Sequence, residues 1–98
     1  MEYEVRVAEV DGEVVGFVGW RGSRILALYV AEAWRGRREV GTALLAEAES
    51  AIRRKDFKEI RVMVDADASP AQRFYLRHDY EPQQGRDHED FVWMTKRL

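Results

Sequence analysis

The sequence predicts an α/β domain built on a mixed β-sheet, and three observations carry that expectation. Strand-like and helix-like patterns alternate along the chain, as in a sheet with helical crossovers. Ile25 to Val30 is a continuous apolar run, the pattern of a central strand covered on both faces. That run leads through a basic, glycine-bearing turn, Arg35-Gly36-Arg37-Arg38, into an amphipathic helix. With 98 residues the chain suits one domain, residues 1–98, around one modest core.

The elements follow in order. Tyr3 to Val10 alternates apolar and polar residues, which predicts a strand. Asp11-Gly12 predicts a tight hairpin turn, and Val14 to Trp20 returns as a second strand. Gly16 and Gly19 inside it point to a twist, a bulge or a close backbone approach. Arg21-Gly22-Ser23-Arg24 turns the chain again into the run Ile25 to Val30. A helix over about 40–55 places Val40, Leu44, Ala48 and Ile52 on one apolar face. Glu47, Glu49, Arg53 and Arg54 fall on its outer face. Ile60 to Val64 is the next strand. Ser69 is suited to cap a short helix that runs to His78, with Pro70 at its first position. Tyr80 to Gln83 and Asp90 to Thr95 form a closing hairpin around Gln84-Gly85-Arg86.

Composition narrows the function. A hydrophobic share of 46% beside a charged share of 35% is that of a soluble globular protein. The net charge of −2 argues against a broad nucleic-acid surface. No apolar run approaches the ~20 residues that cross a bilayer, and the first residues do not form a signal peptide. The absence of cysteine excludes disulfides, thiolate metal sites and cysteine nucleophiles, and suits a reducing cytosol. Two histidines without a third ligand do not make a metal site. The expectation is a cytoplasmic protein that binds neither nucleic acid, membrane nor metal.

The turn before the long helix carries the chemistry. Backbone N–H groups at a helix start lack partners, and the helix dipole adds partial positive charge there. Arg35, Arg37 and Arg38 sit beside them. Such a place suits phosphates, above all a diphosphate. The same residues also make an ordinary solvated turn.

The surrounding residues resemble a family. "LYVAEAWRG" followed by "VGTALLAEAE" looks like the acetyl-CoA-binding segment of the GCN5-related N-acetyltransferases (GNAT). Val30 and Arg35-Gly36 fall at the family spacing counted from the strand, and Gly41-Thr42-Ala43-Leu44-Leu45 counted back from the helix. The two registers differ by one residue, so Arg38-Glu39 stand where the middle glycine is expected. Further on, "ASPAQRFYLRHDY" resembles the family's "N-P-x-A-x-x-F-Y-x-x-x-G-F", with Ala68 for its asparagine and Asp79 for its glycine. "VAEVDGEVVGFVGW" looks like the central hairpin and "FVWMTKRL" like the closing strand.

The resemblance implies a twisted, mostly antiparallel mixed sheet with two main helices, without the family's initial strand and two helices. It implies acetyl-CoA as cosubstrate, held by Leu28, Val30, Arg35, Gly36, Arg37, Arg38, Val40, Gly41 and Thr42. Leu28 and Val30 would offer backbone groups to the pantetheine arm. It makes Tyr75 the general acid for the departing thiolate, since a phenol of pKa near 10 can protonate one. The acceptor is a small-molecule or peptide amine. Asp65, Asp67, Glu4, His78 and His88 are candidate bases, and none stands out. The missing elements normally wall the acceptor pocket, so a homodimer is expected to complete it, with Tyr3 to Val10 meeting the partner. The alternative is a CoA-binding module without catalysis that depends on a partner or second subunit.

Overall fold

The computed structural model describes residues 3–36, 38–83 and 90–98. Strand β1 (Glu4–Val10) turns into β2 (Glu13–Arg21) through Asp11 and Gly12, at φ 51° and 82°. Two consecutive positive φ angles are what a two-residue hairpin matched to the strand twist requires. Gly22 and Ser23 make the next two-residue turn, into β3 (Arg24–Val30). A short 3-10 turn, Glu32–Trp34, which periodicity does not reveal, leads to α1 (Arg38–Arg54). Then come β4 (Glu59–Asp65), α2 (Ser69–Arg77), β5 (Glu81–Pro82) and β6 (Phe91–Arg97).

The six strands form one sheet in the order β1-β2-β3-β4-β6-β5. Every neighbouring pair is antiparallel except β3 and β4, which α1 joins in parallel. The expected α/β class and its mostly antiparallel mixed sheet with two main helices are what the structure has. The predicted helical stripe Val40, Leu44, Ala48 and Ile52 is buried along its whole length. It packs on a sheet face made by Val18, Trp20, Ile25, Ile60, Val62, Val64 and Met94.

Several details differ from expectation. Helix α1 begins at Arg38, before the apolar stripe starts. Ser69 is the first residue of α2, not its cap; Ala68 takes the cap position and offers no side-chain bond. Gln72 instead ties α2 to the end of β4, donating from Nε2 to the carbonyls of Asp65 and Ala66, each at 2.9 Å. Glu49, expected in solvent, is half-buried where α1 meets β6. There it accepts from the Tyr80 hydroxyl at 2.8 Å and pairs with Lys96 at 3.2 Å. The predicted turn Gln84-Gly85-Arg86 lies outside the described residues.

Gly16 answers to a close approach. A Cβ built on it would lie 2.6 Å from the Tyr29 carbonyl oxygen, far inside contact distance. In the same pair of strands, β2 and β3, the register shifts between Gly19 and Trp20, leaving Leu26 of β3 without a partner on β2.

Candidate active-site cleft

The parallel strands β3 and β4 are paired only at Arg24 with Arg61 and Ile25 with Val62. Beyond Ile25 they run on without pairing. The extra residue Leu26 bends β3 at that point, as bulges do, and the strands part into a cleft. Alternation then decides which backbone groups face it. The Tyr29 carbonyl points at Gly16, and the Ala31 N–H donates to Val15 at 2.8 Å, so both turn towards β2. Residues of a strand alternate in this, so Leu28 and Val30 turn their backbone groups into the cleft. Their side chains meanwhile pack against the core.

The two do not remain equivalent. Arg35 folds back and donates from Nε to the Val30 carbonyl at 2.7 Å, with its guanidinium 5.3 Å from the centre of the Tyr29 ring. Leu28 keeps its edge open. Arg35 is thereby fixed against β3, at the mouth of the cleft. Gly36 has φ 84° and open space around its missing Cβ, so its requirement is conformational. Arg37 lies outside the described residues.

The N–H groups of the first three residues of α1, Arg38, Glu39 and Val40, have no partner inside the helix. No bond to them is present among the described residues. Val40 is buried in the core and Glu39 is exposed. A Cβ on Gly41 would lie 3.2 and 3.4 Å from ring atoms of Phe74. The structure gives that glycine a packing role, because α2 lays Phe74 against it. Thr42 likewise has a protein partner, its hydroxyl lying 3.3 Å from His78 Nε2.

Tyr75 sits on α2 in a chain of rings. Its centroid is 5.2 Å from that of Phe74 and 5.3 Å from that of Tyr80, both edge-on. It is buried. Burial disfavours the phenolate and pushes its pKa up to about 12. Tyr80 is also pushed up, by burial and then by the Glu49 carboxylate that accepts its proton.

The candidate bases separate. Glu4 lies on β1, two strands from β3, beside Arg6 at 3.8 Å. His78 is engaged with Thr42 and Phe74. Asp65 ends β4, on one arm of the cleft, and Asp67 is exposed just beyond it. His88 lies outside the described residues. No group of metal-binding side chains occurs among the described residues, and no helix there is long and apolar enough to cross a membrane.

Sequence reasoning missed one cluster. Arg24 and Arg61, opposite each other where β3 and β4 are paired, both lie over the ring of Trp93, at 5.1 and 5.4 Å. Only the alternation of Arg61 with buried neighbours hinted that it faces away from the helices.

The site is thus a split between two parallel strands, each followed by a helix. The profile described as "Acetyltransferase (GNAT) domain" matches residues 2–82, and the chain belongs to that family. Among solved structures it is similar to PaiA N-acetyltransferase from Thermoplasma acidophilum in complex with coenzyme A. There the identity is 24% and the TM-score 0.86, over 100% of this chain and 62% of that one. It is similar to ribosomal-protein-alanine N-acetyltransferase from Brucella melitensis, at 23% identity and TM-score 0.80, over 98% of this chain and 69% of that one. It is also similar to Ard1 from Thermoplasma volcanium, at 27% identity and TM-score 0.78, over 94% and 68%. The chain thus spans about two thirds of each of these proteins. A comparison with curated protein sequences finds no significant match.

Proposed function

We propose that this chain transfers an acetyl group from acetyl-CoA to an amine. The observation that carries the reading is the parting of β3 and β4 beside the first turn of α1. Family membership supports it, as does coenzyme A in the crystal of the similar PaiA enzyme.

The residues present fit such a ligand. Leu28 offers an open strand edge to an extended, amide-bearing arm. The N–H groups at the start of α1 suit a diphosphate, with Arg35, Arg37 and Arg38 as neighbouring charge. Gly36, Val40, Gly41 and Thr42 would act through the backbone shape of that turn, since Val40, Gly41 and Thr42 direct their side-chain positions at protein neighbours. When bound, acetyl-CoA supplies a thioester whose carbonyl carbon a neutral amine can attack.

Tyr75 holds the proton the departing sulfur needs. The amine nitrogen loses a proton to solvent once the C–N bond has formed, the phenol donates its proton to the sulfur as the C–S bond breaks, and solvent reloads the phenol, so protons balance. A pKa of about 12 keeps the phenol loaded at neutral pH. It also makes the phenol a hydrogen-bond donor to the thiolate more than a strong acid.

Calorimetry with CoA, and thiol release from acetyl-CoA with a panel of amines, test the reading. Replacing Arg35, Arg37 and Arg38 together by Ala should weaken CoA binding markedly, and unchanged affinity would sink the diphosphate assignment. Tight CoA binding without turnover on any amine would leave a binding module instead.

A second copy of the chain is the proposed partner of β1. This seven-residue strand lies at the sheet edge, with Val5 and Val7 exposed beside the stacked Phe17 and Tyr29 rings. Bare apolar edges are usually paired or covered. Sedimentation equilibrium at micromolar concentration should give twice the 11.5 kDa chain mass, and a clean monomer overturns this.

A further inference from the structure

The sheet face away from the helices carries an unneutralised pair of cations. Arg24 and Arg61 are direct neighbours across β3 and β4. Two like charges on neighbouring strand positions repel, and among the described residues no acidic side chain pairs with either. Among the described residues the ion pairs are Arg6 with Glu4 and Lys96 with Glu49. Glu59 shares the β4 face with Arg61 but makes no ion pair with it. Arg24 Nε is buried and has no hydrogen-bond partner among the described residues. Such an orphan donor is costly, and orphans of this kind mark places where something else binds.

Trp93 explains how the pair is held. Its ring lies within 5.1 Å of one guanidinium and 5.4 Å of the other. Stacking on an aromatic face fixes the plane of an arginine while leaving its N–H edge free to donate. Both guanidinium groups are gathered at one ring, and the forked N–H donors of a guanidinium match a carboxylate.

The position is as informative as the chemistry. Arg24 and Arg61 stand at the closed end of the cleft, one residue before Ile25 and Val62, after which the strands part. Leu28 follows Arg24 by four residues, about 13 Å of extended strand. An arginine side chain and an amino-acid-sized molecule together bridge that distance. The cluster faces away from α1 and α2, so a molecule seated on it would approach the cleft from the side opposite the helices.

We propose that Arg24, Arg61 and Trp93 form a carboxylate-recognition site for the acceptor, whose substrate class is a small amine carrying a carboxylate. This rests on the acetyl-transfer reading above. The two arginines set specificity and position the acceptor; neither touches the reacting atoms.

The test uses the full chain, acetyl-CoA, and a ladder of ω-amino acids (glycine, β-alanine, 4-aminobutyrate), each against its primary amide. The acids should be preferred over the amides in kcat/KM, with the best length reporting the span from the cluster to the cleft. The double variant R24M/R61M keeps most of each apolar stem and removes the charge. It should raise KM for the best acid about 10- to 100-fold, the range of a lost charge-assisted contact. CoA affinity and rates with the amide should stay unchanged. Equal use of acids and amides by the wild type overturns the proposal, as does an equal loss on both in the variant. If no amine is acetylated, the same acids are titrated against the tryptophan fluorescence, with Trp93→Phe identifying the signal. Quenching that R24M/R61M abolishes upholds the carboxylate site while the transfer reading fails. Absence of quenching refutes the site on its own.

Discussion

The two faces of the sheet are built on opposite principles. One face is closed by α1 and α2 over Val18, Ile25, Ile60, Val62, Val64 and Met94, all nearly inaccessible. The other leaves Val5, Val7, Phe17 and Tyr29 exposed and gathers two arginines around Trp93. The first face supplies stability and aims the cofactor-side groups, because each sits on an element that the core fixes. The second contributes little to folding and is free to carry recognition. On the function proposed above, the common part of acyl transfer falls to the packed face and acceptor choice to the open one.

The largest effects should separate the two faces. Ile60→Ala removes a side chain with no exposure and should cost about 2–5 kcal/mol in chemical denaturation. Val7→Ala, on the open face at 55% exposure, should cost less than about 0.5 kcal/mol. Similar losses at both positions would mean that a partner buries the open face in solution, which sharpens the comparison rather than ending it.

Tyr75→Phe should lower kcat about ten- to a thousand-fold and leave CoA affinity nearly unchanged, since only the hydroxyl goes. Steady-state kinetics beside calorimetry decide this, and equal rates would remove Tyr75 from the chemistry.

The same residue links the packed face to pH. In the unfolded chain its phenol titrates near pH 10, and in the folded protein at about 12. Below pH 10 both states hold the proton, and stability does not depend on it. Between those values the unfolded state releases a proton that the folded state retains, so stability falls as pH rises. Thermal melts from pH 9 to 12 should show this decline, and Tyr75→Phe should make it shallower.

The smallest effect concerns a turn. Asp79 takes φ 72° directly after α2, a conformation that favours glycine. Asp79→Gly should be neutral or stabilise by up to about 1 kcal/mol, and a clear loss in denaturant midpoint would show that the Asp79 side chain contributes to the fold.

That turn also shows why parts of the molecule were legible. Asp79 replaces a glycine of the resembled motif, and the structure keeps the backbone shape that the glycine serves. The hairpin at Asp11-Gly12, the stripe from Val40 to Ile52 and the uninterrupted run of β3 were all readable for the same kind of reason. Each is a demand of local backbone geometry or of one face meeting one core. The placement of Glu49 was not readable, because helical periodicity put it outside the apolar stripe. It is drawn into a partly buried network by Tyr80 and Lys96, which lie 31 and 47 residues further along the chain.

By itself the sequence determined the alternation of strands and helices, the mixed sheet, and the basic turn before a helix with open N–H groups. These follow from side-chain period and from turn residues, which act over a few positions. Only the tertiary structure decided where β3 and β4 part, that Val30 gives its carbonyl to Arg35 while Leu28 stays open, and that Gly41 makes room for Phe74. It alone brought Arg24, Arg61 and Trp93 together. Those three come from separate strands, and their meeting depends on register and on a bulge at Leu26, which long-range pairing sets and local pattern does not encode.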